Sequence, residues 1–529
     1  MISPESPTYK WWIALALVMG TMTVSFSWSM SSVATPAMMN DFHIDIDTVQ
    51  WMMTAASITM MVTMPLVGWL GGIFSKRTLY LFSLFSFIVS HLLSGFAWSF
   101  SSLVVFRIFQ FVGSGVRQPL SMAMIYEAFP ENQRGMAMGI YMASFYLGPL
   151  LAPIIGGILV EDFGWRAVFL INVPFGIVTF ILASLILPKE ERVEKREVSL
   201  DMVGLVSLTI WVTAFIAALN QGQSYGWDSA YILTLFTLAV ITFIVFMIQE
   251  LTTPEPLVDF ALFRKKDYTL ATSARFISET GSMSVNFIWN IFIQRILNYT
   301  PIQAGKLMVP GAIASVISGI LSGHLSDLFD PRYVIILGIT SVSLVFYKLS
   351  FLAIGISTGY IMLLMTLKNF SDSLMMAPLS RASLSSLKGS EVMMGSGLSS
   401  LLMNLGGTIS IAACSTFIPT RTRQYVAIYS MGQSQANGAA EAVQALSRIY
   451  ERAGDPPQIA RVKSFTNLRS LITQEATLSA YQDVYRICAF LSLLVILPVL
   501  WLGKKQPVPT KTAEGRQRSR RVASAQVSS

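Results

Sequence analysis

Apolar runs of about 20 residues recur along the chain and are separated by short polar segments. A run of this length matches a helix that crosses the hydrocarbon core of a bilayer. The strands of a membrane β-barrel would instead alternate apolar and polar residues over about ten positions. The pattern therefore predicts an all-α membrane protein with fourteen transmembrane helices, at about 13–35, 51–71, 78–97, 102–125, 136–160, 166–187, 202–220, 229–249, 268–293, 304–323, 333–353, 359–380, 393–417 and 484–502.

Composition indicates the same class. The chain has 529 residues, of which 53% are hydrophobic and 12% are charged. Its mean hydropathy is +0.58, and too few polar residues remain to cover the surface of a water-soluble protein. The first apolar run, from Trp11, is long and leads directly into further runs, which argues against a cleavable signal peptide. Cys414 and Cys488 fall in apolar runs, where we interpret them as small buried hydrophobic residues.

The net charge of +8 is unevenly distributed, because basic residues concentrate in every second connection. The other short connections hold little basic charge beyond Arg166 and Arg295, and the one at about 36–50 is acidic. Basic loops remain in the cytoplasm, so we predict an inner-membrane protein with both termini cytoplasmic and no nucleic-acid partner. The basic residues assigned to the cytoplasmic side are Lys10, Lys76, Arg77, Arg134, Lys189, Arg192, Lys195, Arg196, Arg264, Lys265, Lys266, Arg332, Arg381, Lys388 and those of the tail from Lys504 to Arg521.

One connection, at 418–483, is much longer than the others and is predicted to lie outside the cell membrane. Loops of this length are exempt from the charge rule, so its arginines do not contradict that placement. The stretch from Gln433 to Glu451 predicts an amphipathic helix, which Gly454-Asp455-Pro456-Pro457 would end. The basic tail at 504–529 is predicted to be disordered and to contact anionic lipid.

An internal repeat sets the architecture. The segment Gly68–Arg77 follows the second span and the segment Gly323–Arg332 follows the tenth, and both read Gly-x-Leu-x-x-x-Phe-x-x-Arg. This spacing predicts two parallel six-helix bundles, formed by spans 1–6 and 9–14, with spans 7 and 8 inserted between them. The predicted units are therefore an N-terminal bundle at 1–200, two inserted helices at 201–250, a C-terminal bundle at 251–503 and the tail.

The fifth predicted span contains Gly148, Pro149, Pro153, Gly156 and Gly157. Proline removes a backbone hydrogen bond and small residues let a neighbouring helix approach closely. We therefore predict that this span bends and acts as a hinge. With it we group four residues of the two repeats as a conformational switch: Gly68, Arg77, Asp327 and Arg332.

These motifs resemble those of the major facilitator superfamily, and in particular of its fourteen-helix exporters of the drug:proton antiporter-2 (EmrB/QacA) type. The hinge stretch is similar to the family's antiporter motif, and Phe106-Arg107-Ile108-Phe109-Gln110 is similar to its fourth-helix arginine motif. The most specific signature begins at Trp165-Arg166. The other matching segments are Asn172–Gly176, Asp201 with Gly204, Gly226–Asp228, Tyr299–Pro301 with Ala304 and Gly305, Pro310-Gly311, Gly395–Leu398, Gln474–Ala476 and Tyr481–Asp483.

The resemblance implies two bundles that rock about a central substrate site, proton-driven export, and no cofactor. It also implies that the loop at 418–483 contacts a periplasmic adaptor and an outer-membrane channel. Two positions depart from the family pattern. Ser27 stands where the first helix of the family carries an aspartate, and Gly72 replaces the carboxylate of the first Gly-x-Leu repeat, which the second repeat keeps as Asp327.

A charged residue at the centre of a span costs about 2.5–3.5 kcal/mol on insertion scales, so each needs a partner or a function. Arg275 with Glu279, and Lys368 with Asp372, lie four residues apart and are placed to neutralise each other. The alternative is that one carboxylate carries the coupled proton, because a proton carrier must change protonation between wet and dry surroundings. We rank Glu279 first and Asp372 second, with Arg107 as a residue that orients the bundle or tunes a carboxylate. Glu127 is expected at the cytoplasmic edge.

The first two spans are rich in methionine and aromatic residues, which favour a deformable apolar cavity for varied amphipathic compounds. Many of these side chains are expected simply to pack or to face lipid. The cavity candidates are Trp28, Met30, Met53, Met60, Gln110, Arg117, Asn286 and Trp289.

Several functions remain open at this point. The leading hypothesis is a proton-coupled multidrug exporter that binds small amphipathic substrates. The alternatives are a lipid or lipid-precursor flippase, an exporter of one metabolite and a non-transporting sensor. An enzyme is disfavoured because the chain has no phosphate-binding loop, no His-Glu-x-x-His and no nucleophile elbow. His91 and His324 have no companion at metal-ligand spacing, so no metal site is predicted and both are interpreted as structural.

Overall fold

The computed structural model describes residues 6, 8–189, 201–297, 299, 301–353, 355–435 and 438–503. The described residues are almost entirely helical. The predicted basic tail and part of the connection after residue 189 lie outside them.

Eight helices make up the N-terminal half. They correspond to the first six predicted spans, two of which are interrupted. Their bounds are α1 Tyr9–Phe42, α2 Ile46–Thr63, α3 Leu66–Ile73, α4 Lys76–Gly95, α5 Phe100–Ala128, α6 Arg134–Phe163, α7 Trp165–Leu170 and α8 Asn172–Ile186.

Two further helices lie between the halves, and the C-terminal half follows. The inserted pair is α9 Met202–Tyr225 and α10 Ala230–Thr252, which pack against each other. The C-terminal half consists of α11 Lys266–Ile291, α12 Pro301–Leu328, α13 Pro331–Leu349, α14 Thr358–Ser385, α15 Ser390–Gln435, α16 Gly438–Arg452, α17 Pro457–Leu494 and α18 Ile496–Leu500.

Short polar residues begin many of these helices. Asp45, Ser75 and Asp201 each accept a hydrogen bond from a backbone N–H in the first turn of the following helix, at 2.8, 3.1 and 2.8 Å. Ser99 and Ser102 form a reciprocal pair of such bonds at the start of α5. These side chains satisfy backbone donors that a helix leaves unpaired at its first turn, so the sequence fixes where each helix starts.

The buried apolar residues form separate clusters. The largest, which includes Leu17 and Leu120, also contains Leu398 of the C-terminal half. A second lies in the C-terminal half around Ile339, and a third lies in the N-terminal half around Phe169. The largest core therefore joins the two halves, and their division into separate bundles stays a prediction.

Among the described residues, ten helices are long and apolar enough to cross a membrane, or eleven if the bent pair α2 and α3 is one span. The remaining predicted spans coincide with α5, α11 and α14, which carry the buried charged residues. The fourteen-span count therefore stays a prediction, while a multi-pass membrane protein is firmly indicated.

Two predicted boundaries were wrong. Helix α1 continues through Pro36 to Phe42, so little of the predicted 36–50 loop is irregular. The region 418–483 is a helical hairpin rather than a loop: α15 and α17 both extend far past the apolar segments, and α16 lies between them. Arg421 Nε and Tyr425 Oη both donate to Asp483 Oδ2, at 2.8 and 2.9 Å, and hold the two extensions together.

The predicted helix within that region is present. Helix α16 covers Gly438–Arg452, and the chain breaks at Gly454, whose φ of 99° favours glycine. Hydropathy does not detect these extensions, because polar residues also form helices when another helix packs beside them.

Helix α6, which corresponds to the fifth predicted span, is one continuous helix from Arg134 to Phe163. The bend expected within it stays a prediction. A break is present in the second span, where α2 and α3 meet at an angle of 53° beside Pro65. Pro65 lies at the N-cap of α3. A backbone N–H at this position would have no partner within α3, so the proline removes no hydrogen bond from that helix.

Candidate functional site

A polar cluster lies within the C-terminal half between α11 and α14. Lys368 Nζ is 2.7 Å from Asp372 Oδ2, and the two side chains are 2% and 6% exposed. Ser282 Oγ donates to Asp372 Oδ1 at 2.7 Å, and Lys368 Nζ donates to Asn286 Oδ1 at 2.7 Å. One of the two predicted ion pairs therefore exists, and its remaining hydrogen-bonding atoms are used as well.

The other predicted pair does not form. Arg275 is fully buried and donates from Nη1 to Ser399 Oγ of α15 at 2.8 Å, with Met403 Sδ 3.2 Å from Nη2. Its Nη1 also lies 3.9 Å from Met122 Sδ of α5. The guanidinium therefore joins the two halves instead of turning along its own helix toward Glu279.

Glu279 is left without a direct partner. Within the described part of the chain, no hydrogen bond or ion pair reaches its carboxylate, and the residue is half-buried. It lies on the same face of α11 as Ser282 and Asn286. Asp372, Lys368 and Arg275 interact with it electrostatically. Tyr146 of α6 is close enough to interact with both Glu279 and Asp372, so this cluster faces the N-terminal half.

A second polar cluster lies inside the N-terminal half, around Ser27. Ser27 Oγ is 2.7 Å from His91 Nε2, 3.2 Å from Gln110 Nε2 and 3.4 Å from Arg107 Nη1. Arg107 Nη1 also donates to Gln110 Oε1 at 2.6 Å. All four residues are at most 1% exposed. The structure thus brings Arg107 and Gln110 together with the serine that replaces the family's acid.

Arg117 lies further along α5 and is also fully buried. Its guanidinium lies 5.1 Å from the centre of the Phe87 ring. Among the described residues none accepts a hydrogen bond from its three nitrogens. Burial without a hydrogen-bond acceptor is costly for a cation, so Arg117 stays a candidate for function.

The other cavity candidates separate into two groups. Trp28 is 37% exposed and packs edge-on against Phe111 at 5.5 Å, while Met53, Met60 and Asn286 are half-buried. Met30 and Trp289 are 0% and 2% exposed and pack in the hydrophobic clusters of the two halves in this conformation.

We call the end of the bundle that holds both Gly-x-Leu repeats the repeat face, and the opposite end the far face. At the repeat face, Asp327 near the end of α12 accepts hydrogen bonds from the backbone N–H groups of Gly135 and Met136, at 2.9 and 2.8 Å. A carboxylate at the first turn of α6 is stabilised by both the free donors and the helix dipole. Arg381 of α14 pairs with the same carboxylate at 2.9 Å and also donates to the Glu131 carbonyl at 3.0 Å.

Close helix contacts extend this junction. A Cβ atom at Gly139 would lie 2.3 Å from the Gly319 carbonyl oxygen, and one at Gly68 would lie 2.8 Å from Met394 Cβ. These contacts join α6 to α12 and α3 to α15 near the repeat face. The structure is therefore a conformation in which the two halves meet at that face.

The other predicted switch residues act within one half. Arg77 Nη2 donates to the Ser184 carbonyl at 2.6 Å, and Arg332 lies 3.9 Å from Asp330. In the predicted hinge, Gly148 packs against the backbone of α1, where an added Cβ would lie 2.5 Å from Phe26 N. A Cβ atom added at Gly156 would make ordinary van der Waals contacts, and one added at Gly157 would have nothing within 4 Å.

Sequence reasoning missed several residues of these sites. Ser282 lies three positions after Glu279, so helical spacing is a signal that could have found it. Arg381 was treated only as a cytoplasmic charge, and the partnership of Ser27 with His91 spans 64 residues, for which one sequence offers no signal. Glu127 pairs with Lys76 at the repeat face, as expected for an end residue.

Comparisons with known proteins agree with this architecture. The Major Facilitator Superfamily profile matches residues 17–260. The chain is 27% identical to the multidrug export protein EmrB of Haemophilus influenzae, over 77% of this chain and 80% of that protein. It is 28% identical to the riboflavin transporter RibZ of Clostridioides difficile, over 62% of this chain and 70% of that protein.

The fold is also similar to that of the proton:xylose symporter XylE, with a TM-score of 0.60 at 12% identity over 94% of this chain and 96% of that one. The motifs, the two helical halves and these similarities all indicate the same assignment. The chain is therefore similar to transporters of the major facilitator superfamily, and its long apolar helices indicate a multi-pass membrane protein.

Proposed function

We propose that this transporter is a proton-coupled exporter of hydrophobic or amphipathic compounds that works by alternating access. The observation that carries the proposal is the Glu279 carboxylate, which lies beside the buried Lys368–Asp372 pair and has no direct partner among the described residues. Burial disfavours the charged form of a carboxyl group, so opening and closing of its surroundings would bind and release a proton.

The contacts at the repeat face support the alternating-access part. Asp327 and Arg381 bridge the halves through the first turn of α6, and Arg275 bridges them deeper in the bundle. Each bridge consists of a few hydrogen bonds, each worth about 1.5–3 kcal/mol when a charged group takes part. Such contacts stabilise one state without preventing the other.

The same proposal places the repeat face in the cytoplasm and the protein in the inner membrane. Arg166, one of the two basic residues that stood against this orientation, pairs with Asp41 at 2.9 Å on the far face. Its charge is therefore compensated locally. Ten or eleven apolar helices and the relatives' names as transporters support the membrane setting.

Transport into proteoliposomes tests the proposal. A compound panel is offered with an imposed pH gradient, with and without a protonophore, and empty liposomes serve as control. We expect gradient-driven flux of several amphipathic compounds that the protonophore abolishes. Flux that ignores the protonophore would contradict proton coupling, and binding without flux would identify a sensor.

A transporter of one metabolite is the second candidate, because one relative is named a riboflavin transporter. The same panel separates the two, since such a transporter would move one compound and not its unrelated neighbours. A lipid flippase would move labelled lipid between leaflets under the same gradient.

The helical hairpin formed by the extensions of α15 and α17 with α16 supports a proposed contact with a periplasmic adaptor, and through it an outer-membrane channel. A groove of about 720 Å³ lies between these helices. Val462 and Phe465 are 66% and 64% exposed on α17. Exposed apolar side chains on a structure outside the membrane are typical of a contact surface for a protein partner. Capture of an adaptor by the full chain but not by a chain lacking α16 would support this; equal capture by both would exclude it.

A further inference from the structure

The N-terminal half contains buried positive charge with no negative charge opposite it. Arg107 and Arg117 are both 0% exposed. Within the described residues, neither guanidinium forms an ion pair or a hydrogen bond with a carboxylate. An uncompensated buried ion costs several kcal/mol even after local relaxation, so the protein has a reason to retain these charges.

Most of the hydrogen-bonding capacity of these two groups is unused. Arg107 uses only Nη1, on Gln110 and Ser27, while its Nε and Nη2 have no acceptor in the described structure. All three side-chain nitrogens of Arg117 likewise have no acceptor in the described structure. The rings of Phe111 and Phe169 lie 5.0 and 5.6 Å from the Arg107 guanidinium carbon. Cation–π contacts of about 2 kcal/mol offset only part of the desolvation cost.

The polar neighbours of Arg107 are neutral. His91 Nδ1 lies 2.9 Å from the Phe87 carbonyl oxygen, which only accepts, so Nδ1 carries a hydrogen. His91 Nε2 then accepts from the Ser27 hydroxyl, and Ser27 accepts in turn from Gln110 and Arg107. These bonds join Ser27, His91 and Gln110 without a negative charge, so the network adds no counter-ion to Arg107.

The C-terminal half is different. Its buried Lys368 has Asp372 as a direct counter-ion, and Arg275 has the Glu279 carboxylate one turn away on α11. In that half each buried cation has a carboxylate either in direct contact or one turn away. Among the described residues of the N-terminal half, Arg107 and Arg117 have neither. An external anion would supply the counter-ion that they lack.

Trp28 indicates where such a charge could approach. The Trp28 ring packs on Phe111, and Phe111 in turn lies under Arg107. Ser32, one turn further along the same face of α1, is also exposed. Trp28 and Ser32 therefore form an exposed surface that a single ring, that of Phe111, separates from Arg107.

We propose that the N-terminal half binds the acidic group of an amphipathic organic anion, such as a carboxylate or a sulfonate. Arg107 and Gln110 would receive the acid, and the rings of Trp28 and Phe111 would receive the apolar body. Arg117 lies ten residues further along α5, about 15 Å along its axis, and offers a second position toward the repeat face. This inference rests on the proposed export function and names its substrate class.

The test compares two fluorescent probes with the same dansyl group and alkyl chain, one ending in a sulfonate and one in a trimethylammonium. Both charges are permanent, so passive crossing in a neutral form is avoided. Binding is measured by fluorescence anisotropy with the full chain in phosphatidylcholine nanodiscs. The variants are Ser27→Asp, which places a carboxylate within reach of Arg107, and Ser27→Asn, which has nearly the same shape without the charge.

We expect the unmodified protein and Ser27→Asn to bind the sulfonate more tightly than the ammonium probe. Ser27→Asp should weaken sulfonate binding about tenfold or more, the loss expected when one charge-assisted hydrogen bond is occupied internally. Arg107→Gln provides a second variant in case the aspartate prevents folding, which size-exclusion chromatography would reveal, and should weaken sulfonate binding as much.

Three results would overturn the inference: equal binding by Ser27→Asp and Ser27→Asn, preference of the unmodified protein for the ammonium probe, or displacement of the probe by chloride or by phosphatidylglycerol alone. The last would assign the site to an inorganic ion or a lipid headgroup. Sulfonate binding without gradient-driven flux would overturn the proposed function and leave this inference standing, whereas gradient-driven flux of the ammonium probe alone would do the reverse.

Discussion

Arg275 and Glu279 lie one helical turn apart on α11, yet the Arg275 guanidinium donates to Ser399 of α15 and leaves the carboxylate without an ion pair. A direct ion pair would favour the charged form of Glu279. In this arrangement the carboxylate instead lies within the electrostatic influence of Lys368 and Asp372 without pairing with Arg275. The proposed proton coupling rests on this separation of the two side chains.

Glu279→Gln should abolish flux driven by a pH gradient while substrate exchange without a gradient continues. Glutamine keeps the shape of the side chain but cannot titrate, so the protein loses the proton step alone. Proteoliposome flux and counterflow measure the two activities separately. Glu161→Gln, at an exposed position near the end of α6, is the matched control and should leave both rates unchanged. Unaltered gradient-driven flux in Glu279→Gln would exclude this carboxylate.

Asp372→Asn should lower the stability of the protein by about 3–5 kcal/mol, because it leaves the Lys368 ammonium buried without a counter-ion. The double variant with Lys368→Met should recover much of the loss, since it removes the unpaired charge. Chemical unfolding in detergent measures both changes.

Asp455→Asn is the control for that experiment. Asp455 pairs with Lys463 in the helical hairpin at 418–483, where the lysine side chain is 50% exposed. Exposed pairs contribute about 0–1 kcal/mol, so a small change is expected. If Asp372→Asn behaved like Asp455→Asn, the buried pair would contribute nothing to folding.

Substitution by alanine should have opposite effects on protein stability at two glycines of the predicted hinge. At Gly148 the new Cβ would meet the α1 backbone at 2.5 Å, so Gly148→Ala should destabilise the N-terminal half by about 1–3 kcal/mol. At Gly157 nothing lies within 4 Å, and Gly157→Ala should be neutral or stabilise by up to about 1 kcal/mol through helix propensity. Thermal unfolding of each variant measures the difference. Equal losses would mean that flexibility of α6, and not its packing, requires these glycines.

The sequence predicted the helical class and the positions of most helices, because long apolar runs are a direct signal of helices in a bilayer. It did not predict that α15 and α17 extend through most of 418–483, where Tyr425 Oη donates to Asp483. These extensions are polar, and hydropathy detects only apolar helices. The sequence also did not predict the break at Pro65, a proline that lies between two helices of one span.

The site was predictable in its composition but only partly in its geometry. Lys368 with Asp372 formed as their spacing predicts, and Arg275 with Glu279 did not, although the spacing is the same. Helical spacing decides which side chains are able to meet, whereas packing against other helices decides which of them do. Contacts between distant segments, such as Asp327 with the first turn of α6, are not encoded in any local pattern.

That last contact yields a prediction about the transport cycle. Asp327→Ala removes two hydrogen bonds to α6 and the partner of Arg381, so it should shift the protein toward a state open at the repeat face. In a background without Cys414 and Cys488, Ser326→Cys, a buried position beside Gly135, should then react with a charged thiol reagent about tenfold faster or more. Asp330→Ala is the matched control, because Asp330 caps α13 within one half. Equal acceleration by both variants would mean that loss of a helix cap, and not release of the junction, exposes the site.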